Sequence, residues 1–562
     1  MSCVQPFETL NYFKFYYIKN SLNIMRPIFI LLFVSFFKLS YGQIPDSLSK
    51  KVDAIFAEYD KTNSPGCALA ILKDGKIIYK RGYGMSNMEY NIAIAPTSIF
   101  HIASISKQFT AAAIVRLSLE GKLSLDDDIR KYIPEVPDFG HTITFNNLIH
   151  HTSGIRDQWA LQGLAGWRNS DLITEKDILE MLARQKALNF IPGEEYLYCN
   201  TGFTLAAIAV KKITGVSLRD YADSVFFKPL GMMNTHFHSD HAEITPNRTS
   251  AYNKDNKGIL KISIPVFDNY GATSLFTTVE DLAKWDENFY TKKVGGDAFI
   301  KLMQATGELN DKTLQNYAAG LFISNYKGYK TVGHGGADAG YRSNIIRFPD
   351  EHFSVVILAN LASINPSLLS YKVADLFLKD KSNQQPVFKT NNNIVKGWAG
   401  DYFEMSTQSL LKLNYKNEKL SSGVTEFIAT SNATFNVPNS SSTLTFTGDS
   451  SNAQLEFFTE GARSSNYKKV NKIVLPSAKL EEYQGNFYSS ELDTKYNLLI
   501  KDSSLLVKIP RNQDVKFEPL LNDIFIGNAI IRFKRNNKDK IEGFFLSAGR
   551  VRNLYFEKMV AK

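Results

Sequence analysis

The spacing of apolar and polar positions changes character along the chain. Across residues 44–378, strand-like apolar runs mix with stretches whose apolar residues recur every three to four positions. Residues 67–73 and 76–79 are apolar runs joined by Asp74-Gly75, a pairing that predicts a β-hairpin. Residues 342–348 and 353–358, turned at Pro349-Asp350, predict a second antiparallel pair. Between these ends, residues 107–120 stop at Gly121 and residues 201–213 stop near Gly215, which predicts two amphipathic helices. Strands at both ends with helices between them predict an α+β layer fold whose ends share one antiparallel sheet.

Residues 379–393 are polar, with Gln384-Gln385-Pro386 and then Thr390-Asn391-Asn392-Asn393, and predict a linker. Beyond it helical spacing disappears, and short alternating runs dominate, as at 442–446 and 496–500. Trp398-Ala399-Gly400-Asp401-Tyr402-Phe403 and Tyr483-Gln484-Gly485-Asn486-Phe487-Tyr488 open two similar stretches, so 394–475 and 476–562 predict a duplicated all-β unit, sandwich or barrel.

At the other end, Met25-Arg26, the mostly apolar residues 27–37 and then Ser40-Tyr41-Gly42 have the layout of an export signal cleaved before Gln43. The apolar stretch falls short of the roughly 20 residues that span a bilayer. The expectation is an exported, periplasmic or secreted protein whose working chain is 43–562 and carries no membrane-integral segment. Its start codon is open between Met1 and Met25.

Composition then narrows the partners. The formal charge is +9, near +6 without residues 1–42, and the basic residues are scattered rather than blocked. With no Arg/Lys run interleaved with aromatics, nucleic acid is not an expected partner. Only Cys67 and Cys199 remain beyond residue 42, too few for a disulfide framework, and whether they pair stays open.

Three short patterns carry the chemistry: Ser104-Ile105-Ser106-Lys107, Tyr198-Cys199-Asn200 and His334-Gly335-Gly336. A serine hydroxyl needs a neighbouring base, and Lys107, three residues on, shares its helix face. That lysine has to be neutral part of the time, which burial and a second cation arrange. A phenol at Tyr198, its pKa lowered between cations, would relay protons, while Asn200 would orient lysine and substrate. Gly335 and Gly336 let a backbone edge approach a ligand. The N–H groups of Ala337 and Ser104 would form an oxyanion hole, worth about 2.7–4 kcal/mol per donor, and His334 would supply a polar, sometimes cationic wall. Ser-x-x-Lys alone is weak, since it recurs at Ser47, Ser324, Ser409 and Ser465. The ordered set of three patterns is what singles out Ser104.

That set, with Leu148-Ile149-His150-His151-Thr152-Ser153-Gly154 between the first two patterns, resembles the class C β-lactamase and penicillin-binding-protein family of serine hydrolases. Pro192-Gly193, residues 228–232 and residues 277–285 add to the resemblance, which covers residues 46–378. It implies a β-lactamase/transpeptidase-like fold with a helical subdomain. It also implies Ser104 as acylated nucleophile, Lys107 and Tyr198 as the proton-transfer pair, Asn200 as orienter and His334 in the third-motif position. The third motif departs from the Lys-Thr-Gly usual in such β-lactamases, so a permanent cation for the substrate carboxylate is missing there. Arg342 is a candidate replacement. D-alanyl-D-alanine carboxypeptidase, other D-amino-acid peptidase, esterase and weak β-lactamase all remain open. The substrate would be a small peptide, ester or cell-wall fragment. The rival is a non-catalytic cell-wall or protein-binding sensor that keeps the fold. No cofactor or metal is expected. His236, His238 and His241 with Asp240 have metal-like spacing but lie in a polar loop that this chemistry does not need.

Overall fold

The computed structural model describes residues 44–382, 388–438, 440–459 and 461–560. The expected export signal lies outside these residues, as does the middle of the expected linker.

The central sheet is built from β1 (Cys67–Lys73), β2 (Lys76–Tyr83), β3 (Phe322–Tyr326), β4 (Tyr329–Asp338), β5 (Tyr341–Phe348) and β6 (Phe353–Ala359). Its order is β3-β4-β5-β6-β1-β2, with every pairing antiparallel, so the two sequence ends of this domain meet where β1 pairs with β6. β1 and β6 are buried on both faces, which is why they are continuous apolar runs rather than alternating ones. One face, with Ala68, Ala70, Val356 and Leu358, joins the large helical core. The other, with Leu69, Ile71, Val355 and Ile357, packs against Val52 and Phe56 of α1 (Asp46–Phe56). Each fully buried aliphatic side chain there stabilises the fold by about 1.5–3 kcal/mol.

Three further helices position the chemistry: α2 (Ser106–Leu119), α3 (Gln158–Leu164) and α4 (Asn200–Thr214). α4 ends on Gly215 in the left-handed conformation, φ 77°, as its sequence predicts. α2 departs from the amphipathic expectation, because it is buried almost all round. Its polar residues find partners inside: Gln108 Oε1 accepts from the indole of Trp285 at 2.7 Å, and Thr110 Oγ1 donates to the Gly271 carbonyl at 2.8 Å. Internal hydrogen bonds of this kind let a helix that carries polar residues do without a wet face. Among the described residues no single helix is long and apolar enough to cross a membrane.

The C-terminal part is all β. The first unit is an open nine-stranded sheet in which β7 (Gly400–Glu404) pairs with β8 (Ser465–Val470), its first and last strands in sequence. The second is a closed eight-stranded barrel running from β9 (Gly485–Ser489) to β10 (Ile541–Ala548) and β11 (Val551–Lys558), where again first pairs with last. The units open alike. Gly400 has φ 144° with the stem of Lys469 against it, and Gly485 has φ 138° with the stem of Lys558 against it. Each lysine reaches back to a carbonyl just before its glycine, Gly397 at 2.7 Å and Glu482 at 3.2 Å.

The barrel rests on the catalytic domain. Leu161 of α3 and Met181 belong to the barrel's apolar cluster, and Tyr496 Oη donates to the Leu164 carbonyl at 2.6 Å. At the same junction Arg156 is buried with Glu491, at 2.5 Å.

Candidate active site

Ser104 sits in a tight helical turn, Ala103–Ile105, directly ahead of α2, so the nucleophile precedes the α-helix rather than opening it. Ala103 has φ 49°, a left-handed conformation uncommon for a residue with a side chain. Tertiary bonds hold this turn. Ser343 Oγ of β5 donates to the Ile102 carbonyl at 2.8 Å, and Ser106 Oγ donates to the Ala103 carbonyl at 2.5 Å. The Leu275 N–H in turn donates to Ser106 Oγ at 3.0 Å.

The glycine motif lies within β4 itself. Gly336 faces the turn so closely that a Cβ would stand 2.3 Å from both the Ile102 carbonyl oxygen and Ser343 Oγ. At Gly335 the nearest atom would be 3.6 Å away. Gly336→Ala is therefore expected to push β4 off the nucleophile turn and slow acylation of Ser104 by about 100-fold, the scale of an ångström's misplacement. The rate of labelling by a fluorophosphonate measures this. Gly335→Ala should leave the melting temperature unchanged.

Lys107 Nζ is fully buried and donates to Ser104 Oγ at 3.2 Å, Asn200 Oδ1 at 2.8 Å and the Ala272 carbonyl at 2.6 Å. Burial brings its pKa from 10.5 to about 7; Asp157 opposes that shift and Arg550 reinforces it. The lysine is thus neutral for part of the population near neutral pH. Tyr198 lies beside it, with Nζ 4.9 Å from the ring centroid. Its phenol departs from the sequence expectation: burial pushes its pKa up, against the pull of a hydrogen bond with Ser104. Tyr198 consequently holds its proton while Lys107 is the group able to lose one.

Asn200 is oriented by a residue the sequence reading missed. Asp157, buried at the start of α3, accepts from the Asn200 backbone N–H at 2.8 Å and from Nδ2 at 2.7 Å, leaving Oδ1 for Lys107. Its other oxygen caps α3 through the Trp159 and Ala160 N–H groups. The available signal was an acidic N-cap three residues after the Leu148-to-Gly154 motif.

His334 differs from the sometimes cationic wall expected. Nδ1 lies 2.5 Å from the Gly335 carbonyl, which only accepts, so Nδ1 carries the proton and Nε2 accepts from Tyr317 Oη at 3.1 Å. Burial, with Lys107 nearby, lowers its pKa to about 3, so the ring is neutral. His151 accepts the Cys199 N–H on Nδ1 and packs 4.1 Å from the Tyr198 ring, fixing the second motif from behind. Cys199 and Cys67 are both free and buried; Cys199 Sγ faces the Ile155 carbonyl at 3.2 Å, away from the nucleophile.

Ser104, Tyr198, Asn200, His334, Gly335, Gly336, Ala337 and Arg342 all line one cavity of about 1080 Å³, with Lys107 buried behind it. Arg342 Nη1 donates to the Ala339 and Tyr341 carbonyls at 3.0 and 2.6 Å. The same cavity contains Arg550, from the barrel, which no local sequence pattern had marked. The loop histidines do not converge as one set. His236 and His238 group with Glu243, whose carboxylate already receives both ends of Arg219 at 2.6 Å, while His241 groups with Asp240 and Asp268.

A serine, a partly neutral lysine and a protonated tyrosine against a glycine-bearing strand edge define a serine hydrolase of the β-lactamase and penicillin-binding-protein kind. The sequence model of the family described as Beta-lactamase matches residues 52–376, and the chain belongs to that family. It is 26% identical over 376 residues to a D-aminopeptidase of Cereibacter sphaeroides, covering 67% of this chain and 70% of that one. Protein flp of Staphylococcus aureus is 28% identical over 335 residues, 57% of this chain and 64% of its own length. The octameric penicillin-binding protein homologue from Pyrococcus abyssi has a TM-score of 0.54 at 25% identity, over 75% of this chain and 99% of that one. SurE, at 14% identity and TM-score 0.51, covers 91% of this chain and 99% of its own, a likeness of fold that extends into the C-terminal β units.

Proposed function

We propose that the protein is an exported hydrolase of amide bonds in small D-amino-acid-containing peptides, working through an acyl-enzyme on Ser104. The observation that carries this reading is the environment of Lys107: buried, within hydrogen-bond reach of Ser104 Oγ, and with a pKa near 7. Neutral Lys107 takes the Ser104 proton as Oγ attacks the carbonyl carbon. The oxyanion forms against the N–H groups of Ser104 and Ala337. Tyr198 donates its proton to the departing amine and is reprotonated from Lys107. Water then attacks the ester, giving up a proton to the same pair, which returns it to Ser104 Oγ as the acid leaves. The resemblance to a D-aminopeptidase favours D-residues over simple esters. The test is turnover of matched D- and L-aminoacyl amides by residues 43–562. Preference for the D-series supports the reading, while hydrolysis confined to simple esters would replace it with an esterase.

The same lysine sets the pH dependence. Its folded pKa is lowered, so the neutral, basic form grows as pH rises through about 7. kcat/KM should climb about tenfold per unit below that value and level above it, with no limb from His334, which is already neutral. A rate independent of pH between 5 and 8 would assign the base elsewhere.

A further inference from the structure

The barrel hairpin formed by β10 and β11 turns at Gly549-Arg550, and that turn is clamped to the catalytic domain through its main chain. The Arg550 carbonyl accepts from Asn189 Nδ2 at 3.0 Å, and the Arg552 N–H donates to Asn189 Oδ1 at 2.7 Å. Arg552 also pairs with Glu195 at 2.8 Å. This leaves the Arg550 side chain projecting into the Ser104 cavity. Its guanidinium lies 4.6 Å from the Tyr198 ring centroid and 3.6 Å from an Asp157 carboxylate oxygen, with 43% of the side chain exposed.

The other two arginines lining that cavity already make hydrogen bonds. Arg168 is bonded twice to Asp171, at 3.0 and 3.2 Å, and Arg342 is tied to two backbone carbonyls. Among the described residues, the Arg550 guanidinium makes no hydrogen bond. Asp157 sits at ion-pair distance, and both oxygens of that carboxylate already accept from backbone or amide N–H groups. A planar fork of donors, backed by an aromatic face and left with unused N–H groups beside a nucleophile, is suited to a carboxylate.

We propose that Arg550 binds the C-terminal carboxylate of the peptide substrate, so that the barrel supplies the cation the His-Gly-Gly motif lacks. This rests on the hydrolase reading above and deepens it. It also makes a peptide with a free C-terminus a better ligand than its amide.

The test is equilibrium binding to full-length Ser104→Ala protein, which holds ligand without turnover. The probes are N-acetyl-D-alanyl-D-alanine and its C-terminal amide, measured by calorimetry. The acid should bind at least about tenfold more tightly than the amide, the scale of one charge-assisted pair. Adding Arg550→Gln should erase the difference, Arg550→Lys should keep part of it, and Arg342→Gln should leave it in place. Equal binding of acid and amide, binding of neither, or a preference that survives Arg550→Gln and vanishes with Arg342→Gln would each overturn the proposal. The two readings fail separately. Loss of the acid preference in a protein that still hydrolyses D-aminoacyl amides removes only the role of Arg550. An intact preference in a wild-type chain that hydrolyses neither peptide removes only the hydrolase.

Discussion

Ser104→Ala should abolish covalent labelling by a fluorophosphonate and reduce amide turnover by at least about 1,000-fold, since removing the nucleophile of an acyl-enzyme leaves only binding and oxyanion stabilisation. The fold should not change. The nucleophile turn is held by bonds that do not involve the Ser104 hydroxyl, namely Ser343 to the Ile102 carbonyl, Ser106 to the Ala103 carbonyl and the Leu275 N–H to Ser106. The melting temperature should therefore stay within about 2 °C of wild type, since Lys107 Nζ keeps its bonds to Asn200 Oδ1 and the Ala272 carbonyl when the Ser104 hydroxyl is removed. Intact mass after exposure to fluorophosphonate, and separately to a penicillin, reads the chemistry. Wild-type rates in the purified variant would end the mechanism. Failure of the wild type to label with either reagent would favour the non-catalytic binding protein.

The parts of this site that the sequence makes legible are local ones. Ser104 and Lys107 are three residues apart, Tyr198 and Asn200 two, and the glycines of β4 are adjacent, so short-range spacing is enough to nominate them. Asp157 and Arg550 are the opposite case. Asp157 acts through a contact with Asn200, 43 positions away, and Arg550 acts only because an entire barrel is docked next to the cavity. The same distinction explains α2. Its polar residues argued for a wet face, and the partners that Gln108 and Thr110 find inside, Trp285 and Gly271, lie far along the chain. It also explains the two β units. Their similar openings were visible at Gly400 and Gly485, but one sheet closes and the other does not, an outcome of pairing between distant strands that alternation alone does not encode.

The protonation states were the least legible feature. Histidine and tyrosine at a motif read as titrating groups, yet both are largely packed among other side chains at the cavity wall. Burial therefore favours the neutral form of each, and the neighbouring lysine adds to the effect on His334. The base role accordingly falls to Lys107, the one member of the set whose pKa burial carries toward neutrality, while Tyr198, held protonated, is left to donate.

Glu491→Ala should destabilise the docked barrel by about 3–5 kcal/mol, because it leaves the guanidinium of Arg156 buried without its countercharge. The pair is almost wholly sequestered, with 1% and 6% of the two side chains exposed. Arg156 Nη1 also donates to Gln185 Oε1 and Nη2 to the Arg552 and Asn553 carbonyls, and Glu491 also accepts from the Lys186 N–H at 2.8 Å. The network thus joins the loop before α3 to the strand that follows the Arg550 turn. Replacing both charges, as Arg156→Met with Glu491→Met, should cost much less, since no buried ion is then left unpaired. Urea titration of the three proteins distinguishes them, the single variant having the lowest midpoint. Activity adds a second readout. If the barrel's place in catalysis is to hold Arg550 in the cavity, the single variant should lose affinity for carboxylate-bearing peptides at urea concentrations where Ser104 still labels. An unchanged midpoint would mean that the apolar contacts of Leu161 and Met181 hold the barrel in place without the ion pair.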